Sequence, residues 1–459
     1  MKVMLTAVID GVRKDTFDRL MKKGKLPVIE ELSKEAVNVE NCISSFPSAT
    51  VTGHASIATS SFPSEHGIVG QAWFDREMNE YIGYDFELTM PDNWIDAKTN
   101  LNDRHLTSET WFHRAKRLGF RTFSADLIRK GADLKMSFIF PGADRNIPVP
   151  KKLFLLRKFS AHQSIKKSSI LKKFILKIFP FHILQHEIVA GNVVKAVRAG
   201  YNFGIFWFME TDAASHIYGP ETVEGEHGKP YIYDSFEDAM RDADEEIGKI
   251  LKALKDHELY INITTDHGQS RLGDGKQYHV SLSAEMEEQE INAFTRIDPH
   301  EYETRVGRKA QVVVAPSGPR MAHIYVLDTG IRQRVNDFLI DNSAVEFIFW
   351  KENHEVVLCD KDAVCRIQEY EFGDNYPKAV ERVTGLIKSM RSGDFIVTAK
   401  EGYEFQISDY RGGHGGLNAE DSLGFAIIHG PDYREEFIQD ALVTDVLRIG
   451  MSRFVKEVS

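Results

Sequence analysis

Acidic and imidazole side chains recur in four short polar stretches of the chain. They are Asp10 in Val-Ile-Asp-Gly, Asp212 and His216 in Glu-Thr-Asp-Ala-Ala-Ser-His, Asp266 and His267 in Thr-Thr-Asp-His-Gly, and His414 in Gly-Gly-His-Gly-Gly. Carboxylate and imidazole groups suit zinc or a similar divalent ion, and such mixed ligand sets leave a coordination position open for a substrate. Each stretch alone is weak evidence, because Asp-His pairs and histidines beside glycine also occur in ordinary loops and turns.

Hydroxyl side chains crowd residues 45–67, which begin Ser45-Phe-Pro-Ser-Ala-Thr50. A helix is predicted over residues 52–59, so Thr50 would lie near its N-terminus. Exposed N–H groups and the helix dipole favour an anion such as phosphate at that position. A hydroxyl held against a metal ion loses its proton more easily and becomes a competent nucleophile. The alternative is that these hydroxyls only cap the helix, and composition alone favours that simpler role.

The elements that must position these residues follow from the apolar pattern. Short β-branched or aromatic runs alternate with helical patterns, which predicts βαβ units and a mainly parallel sheet. Strands are predicted over residues 3–9, 37–43, 121–125, 203–208, 259–264 and 423–429, and early helices over 16–22 and 28–34. Polar clusters follow the strands that end at residues 9, 43, 208 and 264. Because ligands bind beyond the carboxyl ends of strands in open α/β sheets, one shared site is expected.

Two regions depart from this alternation. Residues 140–190 combine lysines with Phe, Leu and Ile, and residues 271–399 mix short strands with helices. The second region predicts an inserted cap, which leaves 1–270 and 400–459 as the core. The basic insert has two interpretations: an amphipathic helix that touches a membrane surface, or a lid or dimer-forming helix pair with a solvated basic face.

Composition restricts the class of partner. The 459-residue chain has a formal net charge of −11, which argues against a general binder of nucleic-acid polymers. Its three cysteines form no CxxC pair, which is typical of incidental thiols in a reducing compartment. The N-terminal apolar run is too short for a signal peptide, and no stretch approaches the roughly 18 to 20 apolar residues of a membrane span. A cytoplasmic protein is expected.

The order of these motifs resembles the type I phosphodiesterase/nucleotide pyrophosphatase family of the alkaline phosphatase superfamily. The order runs from Asp10 through the element Pro63-Ser-Glu-His-Gly67, Asp212-x-x-x-His216, Asp266-His267-Gly268 and His414-Gly415. The resemblance implies a three-layer α/β/α sandwich with a mainly parallel central sheet and an inserted cap. Aligning residues 63–67 with the family's Pro-x-x-His-Gly element, without gaps, places Thr50 on the nucleophilic threonine. Ser45 matches the local letters five residues earlier and is the alternative nucleophile.

The same resemblance implies the roles of the site residues. Asp10, Thr50, Asp266 and His267 would hold the first of two divalent ions, with zinc expected, and Asp212, His216 and His414 would hold the second. Such a pair of ions clamps the attacking and leaving oxygens of an in-line displacement at phosphorus. The reaction implied is hydrolysis of a small nucleotide-like or lipid-like phosphodiester or pyrophosphate. It would proceed through a phosphothreonine that water then attacks.

The sequence departs from the family pattern at two places. Gln71 stands where the family has an asparagine that donates to a phosphate oxygen, and Val51-Thr52 replaces Phe-Pro after the threonine. Phosphonate hydrolases of the phosphonoacetate type use the same ligand set and are an alternative. A phosphomonoesterase is less expected because the nucleophile loop lacks an arginine, although Arg411 lies near His414. A catalytically dead metal-binding protein is the least expected alternative.

Overall fold

The computed structural model describes residues 1–84, 100–136, 185–222, 233, 235–431 and 433–456. Residues 140–184 of the predicted basic insert lie outside the described residues, so its membrane and lid interpretations stay predictions. Within the described ranges, no helix combines the length and the apolar character needed to cross a bilayer.

The described strands and helices alternate along much of the chain. The strands are β1 (Lys2–Ile9), β2 (Ala36–Ile43), β3 (Ala72–Asp75), β4 (Glu80–Gly83), β5 (Thr122–Ala125), β6 (Leu134–Lys135), β7 (Phe203–Phe208), β8 (Glu258–Thr264), β9 (Ser270–Arg271), β10 (Ala293–Phe294), β11 (Val312–Pro316), β12 (Met321–Val326), β13 (Val345–Glu352), β14 (Glu355–Cys359), β15 (Val364–Arg366), β16 (Phe395–Ala399), β17 (Gly412–Gly413), β18 (Leu423–His429) and β19 (Glu436–Leu442). The α-helices are α1 (Lys14–Lys22), α2 (Pro27–Ser33), α3 (Thr50–Thr59), α4 (Pro63–His66), α5 (Trp111–Arg117), α6 (Gln185–Arg198), α7 (Glu210–Tyr218), α8 (Phe236–Ala253), α9 (Leu282–Glu288), α10 (Pro299–Val306), α11 (Arg332–Asp341), α12 (Ala379–Ile387), α13 (Ala419–Ser422) and α14 (Val443–Lys456).

Eight strands form the central sheet, in the order β19-β2-β18-β8-β1-β7-β5-β6. Strand β1 pairs in parallel with both β7 and β8. Strand β18 runs antiparallel to its neighbours β2 and β8. Every residue of β7 is buried, as expected of a strand covered on both faces. The sheet is therefore mainly parallel, as predicted from the sequence.

Helices cover the central sheet in two groups. Helix α8 packs against both α6 and α2. Helix α6 also contacts strand β7, and α2 contacts strand β2. Helices α3 and α14 pack together, and α14 also contacts β8 and β18. Apolar faces on both sides of a sheet require such cover, which gives the three-layer α/β/α arrangement.

A second sheet occupies much of the region predicted as a cap. Its seven strands have the order β10-β11-β12-β16-β13-β14-β15, and most neighbouring strands are antiparallel. One large apolar cluster includes Val8 of the central sheet as well as Val313 and Ile396 of the second sheet. The division into core and cap stays a prediction, since the two sheets share this cluster.

The carboxyl ends of adjacent parallel strands meet at one edge of the central sheet. Asp10 directly follows β1, α7 begins two residues after β7, and Asp266 lies two residues after β8. Strand β18 runs the other way, so its N-terminal end lies at the same edge. The loop before β18, which contains His414, therefore reaches the residues that follow β1, β7 and β8.

Candidate metal centre and active site

Thr50 is the first residue of helix α3, in the loop that follows β2. The preceding Ala49 has an extended backbone, and no side chain caps the helix. The Thr50 hydroxyl oxygen lies 3.2 Å from Nε2 of His267. Ser45, the alternative nucleophile, is fully buried, and its hydroxyl has no hydrogen-bond partner among the described residues. The structure thus places Thr50, at a helix N-terminus, against a predicted metal ligand.

The first group of site residues comprises Asp10, Thr50, Asp266 and His267. His267 Nε2 lies 3.3 Å from Asp10 Oδ1 and 3.4 Å from Asp266 Oδ2. Ligand atoms bound at about 2.0–2.1 Å around a tetrahedral zinc are themselves about 3.3 Å apart. Both of these carboxylate oxygens are buried without a hydrogen-bond partner in the described chain. The spacing and the unpaired oxygens fit a zinc-sized cation.

The second group comprises Asp212, His216 and His414. The first two lie one turn apart on helix α7, with His216 Nε2 3.3 Å from Asp212 Oδ2. His414 Nε2 lies 3.8 Å from Asp212 Oδ1. Potential ligand atoms of these three residues all lie within 4.8 Å of one another. The two residues of helix α7 and the histidine of the glycine-rich loop therefore form a second group that fits a cation.

The three histidines of the two groups each contact a backbone carbonyl through the same ring nitrogen, Nδ1. Nδ1 of His216 lies 2.7 Å from the carbonyl of Gly412, and Nδ1 of His414 lies 3.1 Å from that of Ser48. Nδ1 of His267 lies 2.9 Å from the Gly268 carbonyl. A carbonyl only accepts, so Nδ1–H donates and the lone pair remains on Nε2. Metal-ligating histidines are commonly oriented by such a contact.

Neighbouring donors hold the carboxylates of the two groups in place. Trp207 Nε1 donates to Asp10 Oδ2 at 2.6 Å, which leaves Oδ1 facing the cluster. The Gln269 amide donates to Asp212. Gly53 of helix α3 packs directly on Asp266, and a Cβ there would lie 2.8 Å from the Asp266 Cβ. Only glycine at position 53 allows helix α3 to approach this carboxylate so closely.

The charges of the site explain its pKa shifts. Burial raises the pKa of Asp10 well above its usual value, and the carboxylates of Asp266 and Asp212 raise it further. Burial also opposes ionisation of Asp212, but the nearby His216 and His414 imidazoles outweigh it and lower that pKa. For His414, burial and the neighbouring His267 lower the pKa. The raised pKa of Asp10 thus reflects repulsion among crowded, buried carboxylates, and the lowered pKa of His414 favours the uncharged imidazole that can bind a metal ion.

Two buried residues near the site were missed by the sequence reasoning. His54, one turn after Thr50 on helix α3, has Nδ1 2.7 Å from Asp126 Oδ2. Burial alone would lower the pKa of His54, but Asp126 and Asp266 outweigh it and raise the pKa. His54 lies within the helix predicted over residues 52–59, and the signal for it was its spacing of four residues from Thr50. Asp126 has no comparable signal, because only the fold brings the end of β5 to helix α3.

Gln71 is not joined to these groups by a hydrogen bond among the described residues. It is half-buried, and its backbone carbonyl accepts from the Tyr84 amide at 2.7 Å. Its predicted role as a phosphate donor stays a prediction. Tyr410 is a further neighbour that the sequence did not indicate, since its ring packs 4.6 Å from that of His216.

Known proteins resemble this chain over much of its length. Residues 4–421 match the type I phosphodiesterase/nucleotide pyrophosphatase family. Bis(5'-adenosyl)-triphosphatase enpp4 of Xenopus laevis is 21% identical over 278 residues, which are 58% of this chain and 47% of the relative. The aligned segment thus spans about half the length of this relative, as it also does for the Bos taurus protein.

Solved structures of similar fold cover almost the whole chain. Murine ectonucleotide pyrophosphatase/phosphodiesterase 5 has a TM-score of 0.62 at 17% identity, over 99% of this chain and 95% of that chain. An inactive variant of the same protein in complex with AMP gives a TM-score of 0.61 at 17% identity, with the same coverage. These likenesses establish an alkaline-phosphatase-like fold. With the family match over residues 4–421, the chain belongs to the type I phosphodiesterase/nucleotide pyrophosphatase family.

Proposed function

We propose that this protein hydrolyses a phosphodiester or pyrophosphate bond in a small nucleotide-like molecule, with Thr50 as the nucleophile. The observation that carries the proposal is the position of the Thr50 hydroxyl, 3.2 Å from His267 Nε2 at the start of helix α3. Asp10 and Asp266 present unpaired carboxylate oxygens to the same His267 nitrogen. A hydroxyl so placed fits nucleophilic attack better than helix capping, because the N-cap residue of α3 is Ala49 and no side chain caps the helix.

Two zinc ions are part of the proposal. Asp10, Thr50, Asp266 and His267 would hold the first ion, and Asp212, His216 and His414 the second. When bound, such ions favour the ionised hydroxyl and neutralise the charge that develops on the oxygens around phosphorus. The family membership and the two potential cation groups support this assignment.

The chain's own groups then perform the displacement. Thr50 Oγ1 gives its proton to solvent and forms a bond to phosphorus, while the bond from phosphorus to the leaving oxygen breaks and the leaving group departs with that electron pair. The first-turn amides of helix α3 have no intrahelical acceptor, so they can donate to the phosphoryl oxygens. Water then attacks the phosphothreonine, which releases a phosphomonoester and restores the Thr50 hydroxyl.

A nucleotide-like substrate is proposed from the relatives. The Xenopus laevis relative is a bis(5'-adenosyl)-triphosphatase, and the murine neighbour has been solved with AMP. Residues Val51 and Thr52, which replace the family's Phe-Pro, belong to helix α3 directly after the nucleophile. Discrimination among leaving groups is therefore the property in which this chain is expected to differ from its relatives.

A substrate panel tests the proposal. Zinc-loaded protein is assayed with and without chelator on bis-p-nitrophenyl phosphate, p-nitrophenyl phosphate, the p-nitrophenyl ester of thymidine 5'-monophosphate and phosphonoacetate. Chelator-sensitive hydrolysis that favours the two diesters is expected, and the nucleotide ester should exceed the simple diester. Preference for phosphonoacetate or for the monoester would instead assign one of the two sister activities. No hydrolysis of any compound, with zinc bound, would contradict the proposal.

A further inference from the structure

The imidazole of His54 faces the first group from the nucleophile helix itself. His54 lies four residues after Thr50 on α3, so the two side chains share one face of the helix. The side chain is 1% exposed, and its Nε2 lies 3.7 Å from Asp266 Oδ2. Potential ligand atoms of Asp10, His54 and Asp266 all lie within 4.8 Å of one another.

Three converging atoms at this point lack hydrogen-bond partners within the described chain. They are Asp10 Oδ1, Asp266 Oδ2 and His54 Nε2. Buried polar atoms are almost always paired, so three unpaired atoms from three separate segments call for a common partner. A cation satisfies two carboxylate oxygens and an imidazole lone pair at once.

Asp126 determines which nitrogen of His54 is available. Its Oδ2 lies 2.7 Å from His54 Nδ1, and its Oδ1 accepts from the Ile128 amide at 2.8 Å. The carboxylate is thus fixed from its own loop and accepts the Nδ1 proton, which directs Nε2 towards Asp10 and Asp266. Carboxylate–histidine pairs of this kind orient the ring at zinc sites and increase its basicity as a ligand.

Trp207 completes the orientation of this group. Its ring packs edge-on against His54, with centroids 5.1 Å apart at 71°. Its Nε1 donates to Asp10 Oδ2 at 2.6 Å, so Oδ1 is the oxygen left to meet Nε2. One indole therefore positions two of the three unpaired atoms.

We propose that His54, oriented by Asp126, is a further protein ligand of the ion that Asp10 and Asp266 hold. The inference rests on the proposed function and adds a ligand that the family resemblance did not supply. Catalytic zinc sites can expand from four to five ligands, so His54 can join Asp10, Thr50, Asp266 and His267 around one ion. Because His54 and Thr50 lie on one helix, the contact also fixes the nucleophile relative to the ion. Any shift of helix α3 would then disturb both together.

The test compares cobalt binding to metal-free wild-type protein, His54→Gln, Asp126→Asn and the control His66→Gln. His66 is equally buried, but its Nε2 lies 3.0 Å from the Ser56 hydroxyl and its Nδ1 accepts from the Ile68 amide at 3.1 Å. Cobalt is titrated, and visible absorption reports the ligands of each bound ion. His54→Gln should weaken the binding of one of the two ions by more than about 100-fold and change the absorption bands of that ion. Asp126→Asn should weaken the binding of the same ion by about 10-fold. His66→Gln should match the wild type.

The possible outcomes distinguish failure of the His54 inference from failure of the proposed function. Wild-type affinity and spectrum in His54→Gln would overturn the inference and leave the two-ion function intact. Weaker binding with an unchanged spectrum would also overturn it, because His54 would then only position Asp266. Failure of the wild type to bind two ions would refute the proposed function itself. Should His54→Gln not fold, as judged by circular dichroism, an unaltered Asp126→Asn titration would overturn the inference.

Discussion

At the scale of single residues, the site depends on which atom of each side chain is left unpaired. Backbone carbonyls accept hydrogen bonds from Nδ1 of His216, His267 and His414. Trp207 donates a hydrogen bond to one carboxylate oxygen of Asp10, and the other oxygen faces His267. Residue type alone predicts that Asp and His can bind a cation, but only these partners determine which atoms are presented to it.

Replacement of Thr50 by alanine is the residue-scale prediction. Thr50→Ala removes the proposed nucleophile, so kcat on the preferred diester should fall by at least about 1,000-fold, as it does when nucleophiles are removed from other hydrolases. Zinc content should change little, because the other ligands of the first ion remain. Steady-state kinetics and metal analysis of the same samples check both statements.

Ser45→Ala provides the matched control for that variant. Ser45 is buried just before helix α3, and its hydroxyl has no partner among the described residues, so kcat should stay within a few-fold of the wild type. Retained activity in Thr50→Ala together with loss in Ser45→Ala would reverse the assignment of the nucleophile.

At the scale of elements, the sequence predicted the strands well because their apolar runs are continuous. The strands β7 and β18 begin and end at the predicted residues, and β1 begins one residue earlier than predicted. Helix α3 begins at Thr50 rather than at residue 52, since Ala49 already has the extended backbone of a helix N-cap. The pairing of His54 with Asp126, 72 positions apart, carries no local pattern and could not be predicted.

Arg382 of helix α12 shows how a distant element supports the site. Its fully buried guanidinium donates to the Ser44 carbonyl at 2.8 Å, the Ser48 hydroxyl at 2.8 Å and the Leu417 carbonyl at 3.0 Å. Burial lowers its pKa to about 9. One side chain thus joins the loop before Thr50 to the loop after His414, and Ser48 also orients His414 through its carbonyl.

Arg382→Met is the element-scale prediction. The substitution leaves several buried acceptors without a donor, so the free energy of unfolding should fall by about 3 kcal/mol. kcat should also decrease, because the loops that carry Thr50 and His414 lose their common support. Denaturant unfolding and steady-state kinetics measure the two effects.

The control for this variant is Arg332→Met on helix α11. The Arg332 side chain is 39% exposed and lies 3.7 Å from Asp394, so its loss should change stability by less than about 1 kcal/mol. Equal effects of the two substitutions would show that Arg382 does not support the site.

At the scale of the whole molecule, the site gathers acidic groups from distant parts of the chain. Asp10, Asp126 and Asp266 are each no more than 1% exposed, and they follow strands β1, β5 and β8. Asp421, from the segment before β18, accepts from Arg320 at 3.0 Å, where Arg320 directly precedes β12 of the second sheet. The same carboxylate accepts from the Ser270 hydroxyl and from the Gly416 amide, so the loops that carry His267 and His414 are both tied to the second sheet. Buried carboxylates brought together in this way destabilise the folded chain unless a cation compensates them.

Removal of the metal ions is therefore expected to lower global stability. At a free zinc concentration 100 times its dissociation constant, binding at each site adds about 2.7 kcal/mol to the free energy of unfolding. Excess chelator should accordingly lower the Tm of the zinc-loaded protein by about 5 °C or more, measured by scanning calorimetry. Asp10→Asn provides the contrast, because a neutral amide both weakens binding of the first ion and relieves the repulsion among the carboxylates. Its Tm should respond less to chelator and, in the metal-free state, should exceed that of the wild type. An equal Tm for zinc-loaded and chelated wild type would mean that the acidic cluster is tolerated without ions, and the two-zinc assignment would have to be abandoned.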